Sequence, residues 1–501
     1  MPVFLELGED MLIYVLSFLE PPDILRFSQS CRFLNDLCSL RIVWTNVCTS
    51  HVMSKGYPFP SAPLESLSVK DLKRHAIRAC SLGRRWLSGI SEPRRTYYIS
   101  GTSGTSVSDA RFLPGRDGKL LMSISKSVWS ALSIWNITVG GEKLCEWSPR
   151  GAIFTGFAVN SAERSEATIA VSLQLDETHI IKMLQLKCDS STGRHSFGEI
   201  YSFESGMIPI TLDGDLLALA DVVSKAAIWN WRTGRYALLE HAIDNHSSLQ
   251  SNDCMQIVFA HESVLVVRAR AIHLYAFPTL EPPRTGEDQP RAHQPIAHHS
   301  FGWVDGESVA ICPFIYNSSS SKNAWLPLSI LVRGESDDPW ASDIHNLELY
   351  TLEPNPSYSK EPESGTESSS TASPYLFPPQ LTNRVPCLRG SLRCKQVVLG
   401  RFGTAVWIQP RDRFIGGLLA DIAVNLVPSS NAHESLVLTA FPGSLNPGTG
   451  AKAGKQTTAV VVGRKIYENE FNTSWTSFDY DEVGGRIVLG SSFGRVTVLY
   501  I

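Results

Sequence analysis

The hydrophobic positions of the chain follow a helical pattern at the N-terminus and a strand pattern afterwards. Between residues 11 and 19, apolar side chains recur at helical spacing, which predicts an α-helix with a broad apolar stripe. The acidic Glu9 and Asp10 suit the start of that helix, because a helix N-terminus carries a partial positive charge. Pro21 and Pro22 end it, since proline lacks the amide hydrogen that a helix interior requires.

Two further helices are predicted before residue 45. Asp23 is placed to cap a helix that carries Ile24, Leu25 and Phe27. A third apolar series keeps the helical spacing and closes on a tryptophan: Cys31, Leu34, Leu37 and Trp44. Helices this short bury little surface by themselves, so the segment is near the size at which a partner or an oligomer becomes necessary.

A connector follows, in which prolines from residue 58 to residue 63 indicate an irregular link. Apolar residues then return at helical spacing from Leu72 to Trp86. This helix and its surroundings are strongly basic, with only Asp71 and Glu92 opposing Lys70, Lys73, Arg74, Arg78, Arg84, Arg85, Arg94 and Arg95. Such charge fits contact with RNA, anionic lipid or an acidic tail, or else a solvated face whose arginines brace the next domain. The lack of interleaved aromatic residues and of a glycine-rich RNA motif favours the second interpretation.

From residue 94 onwards, short β-rich runs alternate with clusters of Gly, Pro, Asn and Ser. A strand that ends in an apolar–aromatic pair recurs: Ile134-Trp135, Ile228-Trp229, Leu274-Tyr275, Leu349-Tyr350 and Leu499-Tyr500. Weaker copies lie near residues 184–186 and 436–441. The first four copies are separated by 50, 44 and 46 residues, close to the length of a propeller blade.

The last repeat, residues 477–501, contains only three strands. The segment 96–100, Thr-Tyr-Tyr-Ile-Ser, precedes the first repeat and is placed to supply the fourth strand. Closing the ring in this way removes exposed sheet edges. Seven blades fit the spacings best, with six or eight blades and a pair of stacked β-sandwiches as alternatives.

Three segments between the predicted strands lack apolar periodicity: residues 317–323, 354–374 and 443–457. Long surface loops cost little conformational free energy, so solvent-exposed loop insertions are the simpler interpretation. A phosphorylated or partner-binding tether at Ser368 to Ser370 is the alternative.

Composition narrows the class of protein. The chain of 501 residues is too long for one ordinary domain, and 43% hydrophobic with 19% charged residues is typical of folded proteins. The net charge of −4 gives no global basic field for nucleic acid. No apolar run is long enough to span a bilayer, and the acidic start is unlike a secretion signal, so no membrane association is expected. The 10 scattered cysteines form no CxxC pair, which favours free thiols in the cytoplasm or nucleus.

The sequence offers few candidates for catalytic chemistry. It contains no Walker loop, GxSxG, HExxH, EF-hand or GxGxxG motif. The remaining candidates are His298-His299 and the carboxylate groups Asp337-Asp338 and 479–482, and propeller turns supply such clusters routinely. We therefore predict no catalytic, metal or cofactor site.

The N-terminal segment resembles the F-box, whose pattern is Leu-Pro, an amphipathic helix ending in Phe-Leu, Pro-x-Asp-Leu, Cys-Arg-x-Leu and a late Trp. The matching residues are Leu7, Leu12, Val15, Leu16, Phe18-Leu19, Pro22, Asp23-Ile24-Leu25, Cys31-Arg32, Leu34 and Trp44. The sequence departs from the pattern at Gly8, where the family has proline. The resemblance implies that this helix set binds the Skp-type adaptor of SCF (Skp–cullin–F-box) ubiquitin ligases. The residues expected to contact the adaptor, or to form the core beneath that contact, are Leu7, Leu12, Val15, Leu16, Leu19, Ile24, Leu25 and Cys31.

The repeats resemble a degenerate WD-repeat propeller, with Trp135-Asn136 and Trp229-Asn230 in place of Trp-Asp. We expect an F-box in 1–48, a linker with a basic amphipathic helix in 49–93 and the propeller in 94–501. This order resembles that of substrate receptors of SCF-type ubiquitin ligases, including divergent fungal F-box proteins. It implies a non-catalytic subunit that joins a target protein, bound on the propeller, to a cullin-RING core. A non-degradative scaffold and a propeller enzyme are the alternatives.

Overall fold

A computed structural model gives the fold. It describes residues 7–99, 105–115, 118–138, 140–189, 191–221, 225–240, 253–282, 292–301, 304–311, 326–334, 344–358, 373–390, 392–411, 433–442, 445, 459–470 and 473–501. Most of the three predicted loop insertions therefore lies outside the described residues. The two ends of 354–374 do lie within them and are joined, since Asn355 Nδ2 donates to the Ser373 carbonyl at 2.8 Å.

From residue 7 onwards, where the structure is described, five α-helices form the N-terminal part: α1 (Glu9–Leu16), α2 (Pro21–Ser28), α3 (Arg32–Cys38), α4 (Arg41–Val47) and α5 (Val69–Ser88). A π-helical segment, Cys48–Met53, and a short 3₁₀ turn, Leu64–Ser66, lie between α4 and α5. The predicted third helix is divided into α3 and α4, and Trp44 Nε1 joins them by donating to the Cys38 carbonyl at 2.7 Å. Ser68 caps α5, because its hydroxyl accepts from the Asp71 amide at 3.2 Å.

Gly8 stands at the N-cap of α1 with φ −60° and ψ 151°. The φ angle is the one that a proline ring imposes, and the ψ angle is that of the extended backbone that proline favours. A side chain added at Gly8 would meet nothing within 4 Å. The departure from the F-box pattern therefore leaves the backbone in the conformation that proline would fix.

Strand β1 (Arg95–Ile99) is followed by seven antiparallel sheets, which we number as blades 1 to 7 in chain order. Blade 1 contains β2 (Val107–Phe112), β3 (Leu120–Lys126), β4 (Ser130–Asn136) and β5 (Glu142–Trp147). Blade 2 contains β6 (Ile153–Val159), β7 (Ile169–Leu175), β8 (Thr178–Cys188) and β9 (His195–Glu204). Blade 3 contains β10 (Ile208–Asp213), β11 (Leu216–Ala220), β12 (Lys225–Asn230) and β13 (Arg235–Glu240). Blade 4 is β14 (Cys254–Ala260), β15 (Ser263–Arg268), β16 (Ala271–Ala276), β17 (Ala297–Ser300).

Blade 5 contains β18 (Val304–Ile311), β19 (Leu328–Gly334), β20 (Ile344–Leu352) and β21 (Gln380–Leu388). Blade 6 contains β22 (Val397–Leu399), β23 (Thr404–Gln409), β24 (Ser435–Ala440) and, beyond it in the chain, β26 (Arg464–Glu468). The intervening β25 (Ala459–Val460) returns to blade 5 and pairs in parallel with β21. Blade 7 contains β27 (Trp475–Asp481), β28 (Arg486–Ser491) and β29 (Val496–Tyr500).

The ring closes as the sequence predicts. β1 pairs antiparallel with β29, with Tyr97 opposite Val498, and becomes the outer strand of blade 7. The first strand of each blade packs beside the first strand of a neighbouring blade, and β2 of blade 1 contacts β27 of blade 7. The fold is therefore a seven-bladed propeller preceded by a small helical region.

One cluster of buried apolar side chains continues from the helical region into blades 6 and 7. At the helical end it contains Leu12, Leu16 and Trp44, and at the propeller end it contains Phe478 and Ile487. Helix α5 joins the two ends. Because apolar burial contributes about 25 cal/mol per Å², a shared core of this kind holds the helices and the propeller as one unit.

Helix α5 contacts both the N-terminal region and the propeller. In its first half, the Leu72 carbonyl accepts a hydrogen bond from the Cys48 thiol at 3.9 Å. At Gly83 the Tyr57 ring packs so close that a Cβ atom would lie 2.3 Å from it, which explains a glycine within the helix. In its second half, the rings of Trp86 and Tyr480 meet edge to face at 6.2 Å.

Glu482 lies buried at the seam between blades 6 and 7. Its carboxylate accepts hydrogen bonds from the Phe402 amide at 3.1 Å and from the Thr404 hydroxyl at 2.5 Å. Burial removes the carboxylate from water and raises the pKa of Glu482 from 4.5 to about 7. The folded protein therefore retains a proton on this group at pH values where the unfolded chain has lost it.

We predict that this site makes the folded state less stable as the pH rises from 4.5 to about 7. Below that window both states hold the proton. Above it the fold must carry a buried charge, at a cost on the order of 3 kcal/mol. Chemical denaturation of the wild type and of Glu482→Gln, followed across this window, should show a steeper loss of stability in the wild type. Parallel pH profiles for the two proteins would contradict this assignment.

We also predict that Gly8→Pro raises the free energy of unfolding by about 0.4–1 kcal/mol, because proline restricts the unfolded chain without straining the fold. Gly89→Pro is the matched control, since Gly89 has φ +83°, which proline cannot adopt, and it should destabilise the protein. Thermal unfolding of both variants gives the comparison. A lower melting temperature for Gly8→Pro would show that the start of α1 is not as described.

Candidate protein-docking surfaces

The predicted adaptor-contact residues divide into a buried group and a more exposed group. Leu12, Leu16 and Ile24 are at most 1% exposed and belong to the core beneath the helices. Leu19 and Leu25 are half-buried and pack against that core. The sequence left open whether the predicted residues contact the adaptor or form the core beneath that contact. The buried group forms the core.

The other predicted residues reach the surface. Val15 is half-buried, and Leu7 and Cys31 are exposed. Cys31 is the N-cap of α3 and has a free thiol. These residues remain candidates for contact with a partner.

The most exposed apolar side chains of α1 lie outside the predicted set. Met11, Tyr14 and Phe18, which we call the α1 stripe, are 56%, 62% and 64% exposed. Their spacings of three and four residues place them on one side of the helix and its C-terminal turn. The Tyr14 and Phe18 rings meet edge to face at 5.0 Å, so the stripe presents one aromatic unit to solvent.

Further exposed apolar side chains lie on α3 and around the start of α4. They are Phe33, Leu40 and Ile42. Solvent-exposed apolar side chains on several neighbouring short helices are typical of a surface that a partner covers. The signal in the sequence was the helical spacing itself, but that spacing does not tell which apolar side of α1 faces inward.

The basic residues of α5 and its surroundings form ion pairs, hydrogen bonds and ring contacts with nearby groups. Arg84 forms an ion pair with Glu20 of the loop before α2, and Arg74 pairs with Asp71 at 2.9 Å. Arg85 donates to the Glu92 carbonyl at 2.8 Å.

Two further basic residues contact neighbouring helices. Arg94 donates to the Ser81 hydroxyl of α5 at 2.8 Å, and Lys73 Nζ lies 5.7 Å from the centre of the Trp44 ring. Most of these contacts engage the positive charge within the helical region and the connector, and the one from Arg94 ties the start of the propeller segment to α5.

The strand order of the blades defines two faces of the propeller. One face carries the turns between first and second strands, and α5 lies against it: a Cβ atom at Gly485, in the β27–β28 turn, would approach Leu82 to 3.0 Å. We call this the proximal face. The distal face, at the other ends of the strands, carries the second-to-third-strand turns and the connections between blades.

Of the three carboxylates between residues 479 and 482, Asp479 and Glu482 join blades, and Asp481 pairs within blade 7. Asp479 accepts from the Phe112 amide of blade 1 at 2.8 Å, Asp481 pairs with Arg486, and Glu482 binds the loop of blade 6. Their oxygens therefore accept hydrogen bonds from the fold, as structural turn residues do.

The other chemical candidates are likewise structural where they are described. His298 faces His273 across the strand pair β16–β17, and His299 contacts the ring of Phe301 at 4.9 Å. Asp337-Asp338 lies outside the described residues. In the described ranges, no group of three or more His, Cys, Asp or Glu side chains has the arrangement of a metal site. Within the same ranges, no helix has both the length and the hydropathy to cross a membrane.

Comparison with known proteins gives two findings. Residues 5–50 match the family model described as F-box-like. A crystal structure of the WD40 domain of SCAP from fission yeast is similar with a TM-score of 0.40 and 8% sequence identity, over 79% of this chain and 82% of that chain. No curated protein matches the sequence.

The N-terminal helices and the seven closed blades now have a consistent description. The family match covers the helices that carry the α1 stripe, and the sheet order defines the ring. The chain therefore consists of an F-box-like domain at its N-terminus followed by a seven-bladed β-propeller.

Proposed function

We propose that this protein is the substrate-recognition subunit of an SCF-type E3 ubiquitin ligase. The F-box-like domain binds a Skp-type adaptor and, through it, a cullin-RING core, while the propeller binds a target protein. The observation that carries the proposal is the exposed α1 stripe on a domain that matches the F-box-like family. F-box domains generally bind Skp-type adaptors, and exposed aromatic side chains are the usual energetic anchors of such contacts.

Within this proposal, the predicted residues have two roles. Leu12, Leu16 and Ile24 form the core that positions the helices, because they are buried. The remaining predicted residues and the newly identified ones contact the adaptor: Leu7, Val15, Leu19, Leu25 and Cys31, together with Met11, Tyr14 and Phe18.

The proposed mechanism is proximity and requires no catalytic residue of this chain. The shared core fixes the F-box-like domain against blades 6 and 7. A target bound to the propeller is then held at a defined position relative to the ligase core. Holding two reactants on one body raises their effective concentration, which accelerates transfer without new chemistry. The proposed place of action is the cytoplasm or nucleus, where such ligases work.

A non-degradative scaffold would use the same surfaces without ubiquitin transfer. Reconstituted ubiquitination separates the two functions, because only a ligase receptor directs ubiquitin to a protein bound on its propeller. A propeller enzyme is the remaining alternative, and the described carboxylates are engaged in holding blades together.

We predict that Tyr14→Ser/Phe18→Ser weakens adaptor binding by at least about 30-fold, since buried aromatic anchors commonly contribute 2 kcal/mol or more. The full-length chain would be co-expressed with a Skp-type adaptor, and affinity would be measured by titration. Phe493→Ser is the matched control, because Phe493 is a similarly exposed phenylalanine on blade 7 at 67%. It should bind the adaptor like the wild type.

Leu16 is unsuitable for this test because it is buried, so Leu16→Asp would unfold the helices. Circular dichroism must show that the double variant remains folded. Wild-type affinity in a folded double variant would refute the role of the α1 stripe. Failure of the wild type itself to bind any Skp-type adaptor would refute the proposed function.

A further inference from the structure

We propose that the distal face of blades 1 and 2 binds a short apolar segment of the target protein, flanked by an acidic residue at one end and a basic residue at the other. The site is formed by Val128, Trp129, Ile153 and Leu175, which we call the blade 1–2 patch. As a target site it rests on the proposed function and specifies the chemistry of the target.

The four side chains are exposed although each is large and apolar. Val128 is 81% exposed and Trp129 is 42% exposed, and both lie in the turn between β3 and β4. Ile153 begins β6, and Leu175 ends β7. Turns of this kind usually carry polar residues, and an exposed tryptophan is among the most frequent anchors of protein interfaces.

Hydrogen bonds hold these positions together across the two blades. The Ser130 amide, next to Trp129, donates to the Ala152 carbonyl at 2.9 Å, and the Ser130 hydroxyl accepts from the Phe154 amide at 3.0 Å. Ile153 lies between these two partners. It faces Gln174 across the β6–β7 pair, beside Leu175.

The patch therefore lies on strand ends and tight turns whose backbone is fixed before a partner arrives. Leu175 also closes over the connection between the blades, since a Cβ atom at Gly151 would lie 3.9 Å from its Cδ1 atom. Binding to a surface fixed in this way loses little conformational entropy, which favours affinity for a short segment.

Charged residues flank the patch with opposite sign at its two ends. Lys126 ends β3 on blade 1 and is exposed. Asp176 and Glu177 form the exposed turn after Leu175 on blade 2. A segment lying across the blades therefore finds complementary charge if its acidic end lies over blade 1 and its basic end over blade 2.

The patch also has a suitable position in the whole molecule. It lies on the distal face, because its turn joins the second and third strands of blade 1. Helix α5 packs against the proximal face at blades 6 and 7. A target on the patch and an adaptor on the α1 stripe can therefore bind the same molecule.

The test selects peptides from a phage library of random dodecapeptides on the full-length chain. The expected consensus is an apolar core with an acidic residue on one side and a basic residue on the other. Binding of a selected peptide should weaken by at least about 30-fold in Val128→Asp/Trp129→Ser. Val462→Asp is the matched control, because Val462 is a 72% exposed valine next to β26 on the proximal face, and it should bind normally.

The flanking charges provide a second measurement. Asp176→Lys/Glu177→Lys should weaken peptides with a basic flank and spare the same peptides in which that flank is neutral. Thermal unfolding of each variant must match that of the wild type. If Val128→Asp/Trp129→Ser does not fold, Val128→Asp alone replaces it. Peptides without the expected pattern, or equal binding to the variant and the wild type, would overturn the proposal.

Two further outcomes remain distinguishable. A concentration-dependent dimer in light scattering that Val128→Asp abolishes would overturn the proposal, since the occupant would then be a second copy of this chain. Adaptor binding is measured on the same samples. Patch-dependent peptide binding without adaptor binding would support the site while refuting the ligase function.

Discussion

The arrangement of this protein depends on the burial of helix α5 between the N-terminal helices and blades 6 and 7. Its first half belongs to the helical core through Leu72 and Ala76, and its second half reaches the propeller through Leu82 and Trp86. Burying one large apolar side chain contributes about 1.5–3 kcal/mol. Separating the two parts would expose several of them at once, so α5 acts as a rigid strut and not as a hinge.

The seams between blades use buried polar groups to complete the ring. Glu482 accepts a hydrogen bond from the Phe402 amide, and Glu434 accepts one from the Trp475 amide. Burial raises the pKa of both carboxyl groups. Side chains that resemble catalytic carboxylates in the sequence thus serve to satisfy backbone donors where two blades meet.

Much of the fold follows from the sequence, because it depends on local patterns. The strand of Thr96 to Ile99 was predictable as the closing strand, since the last repeat is one strand short. The fifth strand of blade 5, in which Ala459–Val460 pairs with β21, was not predictable. That pairing joins segments far apart in the chain, and no short-range signal specifies it.

The exposed side of α1 was harder to predict than the fold, for a physical reason. Helix α1 and the turn after it are apolar on nearly all sides, from Met11 to Leu19. A helix of this kind does not indicate by periodicity which side is buried. The packing of α1 against α4 decides it, so Leu16 is buried whereas Tyr14 and Phe18 face solvent.

The N-terminal helices and the propeller form one rigid body, because a single apolar core runs from one into the other. Single-molecule energy transfer tests it most directly, with dyes on unnatural amino acids at the exposed Gln29 of the helical region and Glu177 of the distal face. A rigid body gives one narrow distribution of transfer efficiency in the full-length chain, which Leu82→Asp broadens because it places a charge in the buried contact with blade 7. A broad or multiple distribution in the wild type would contradict it.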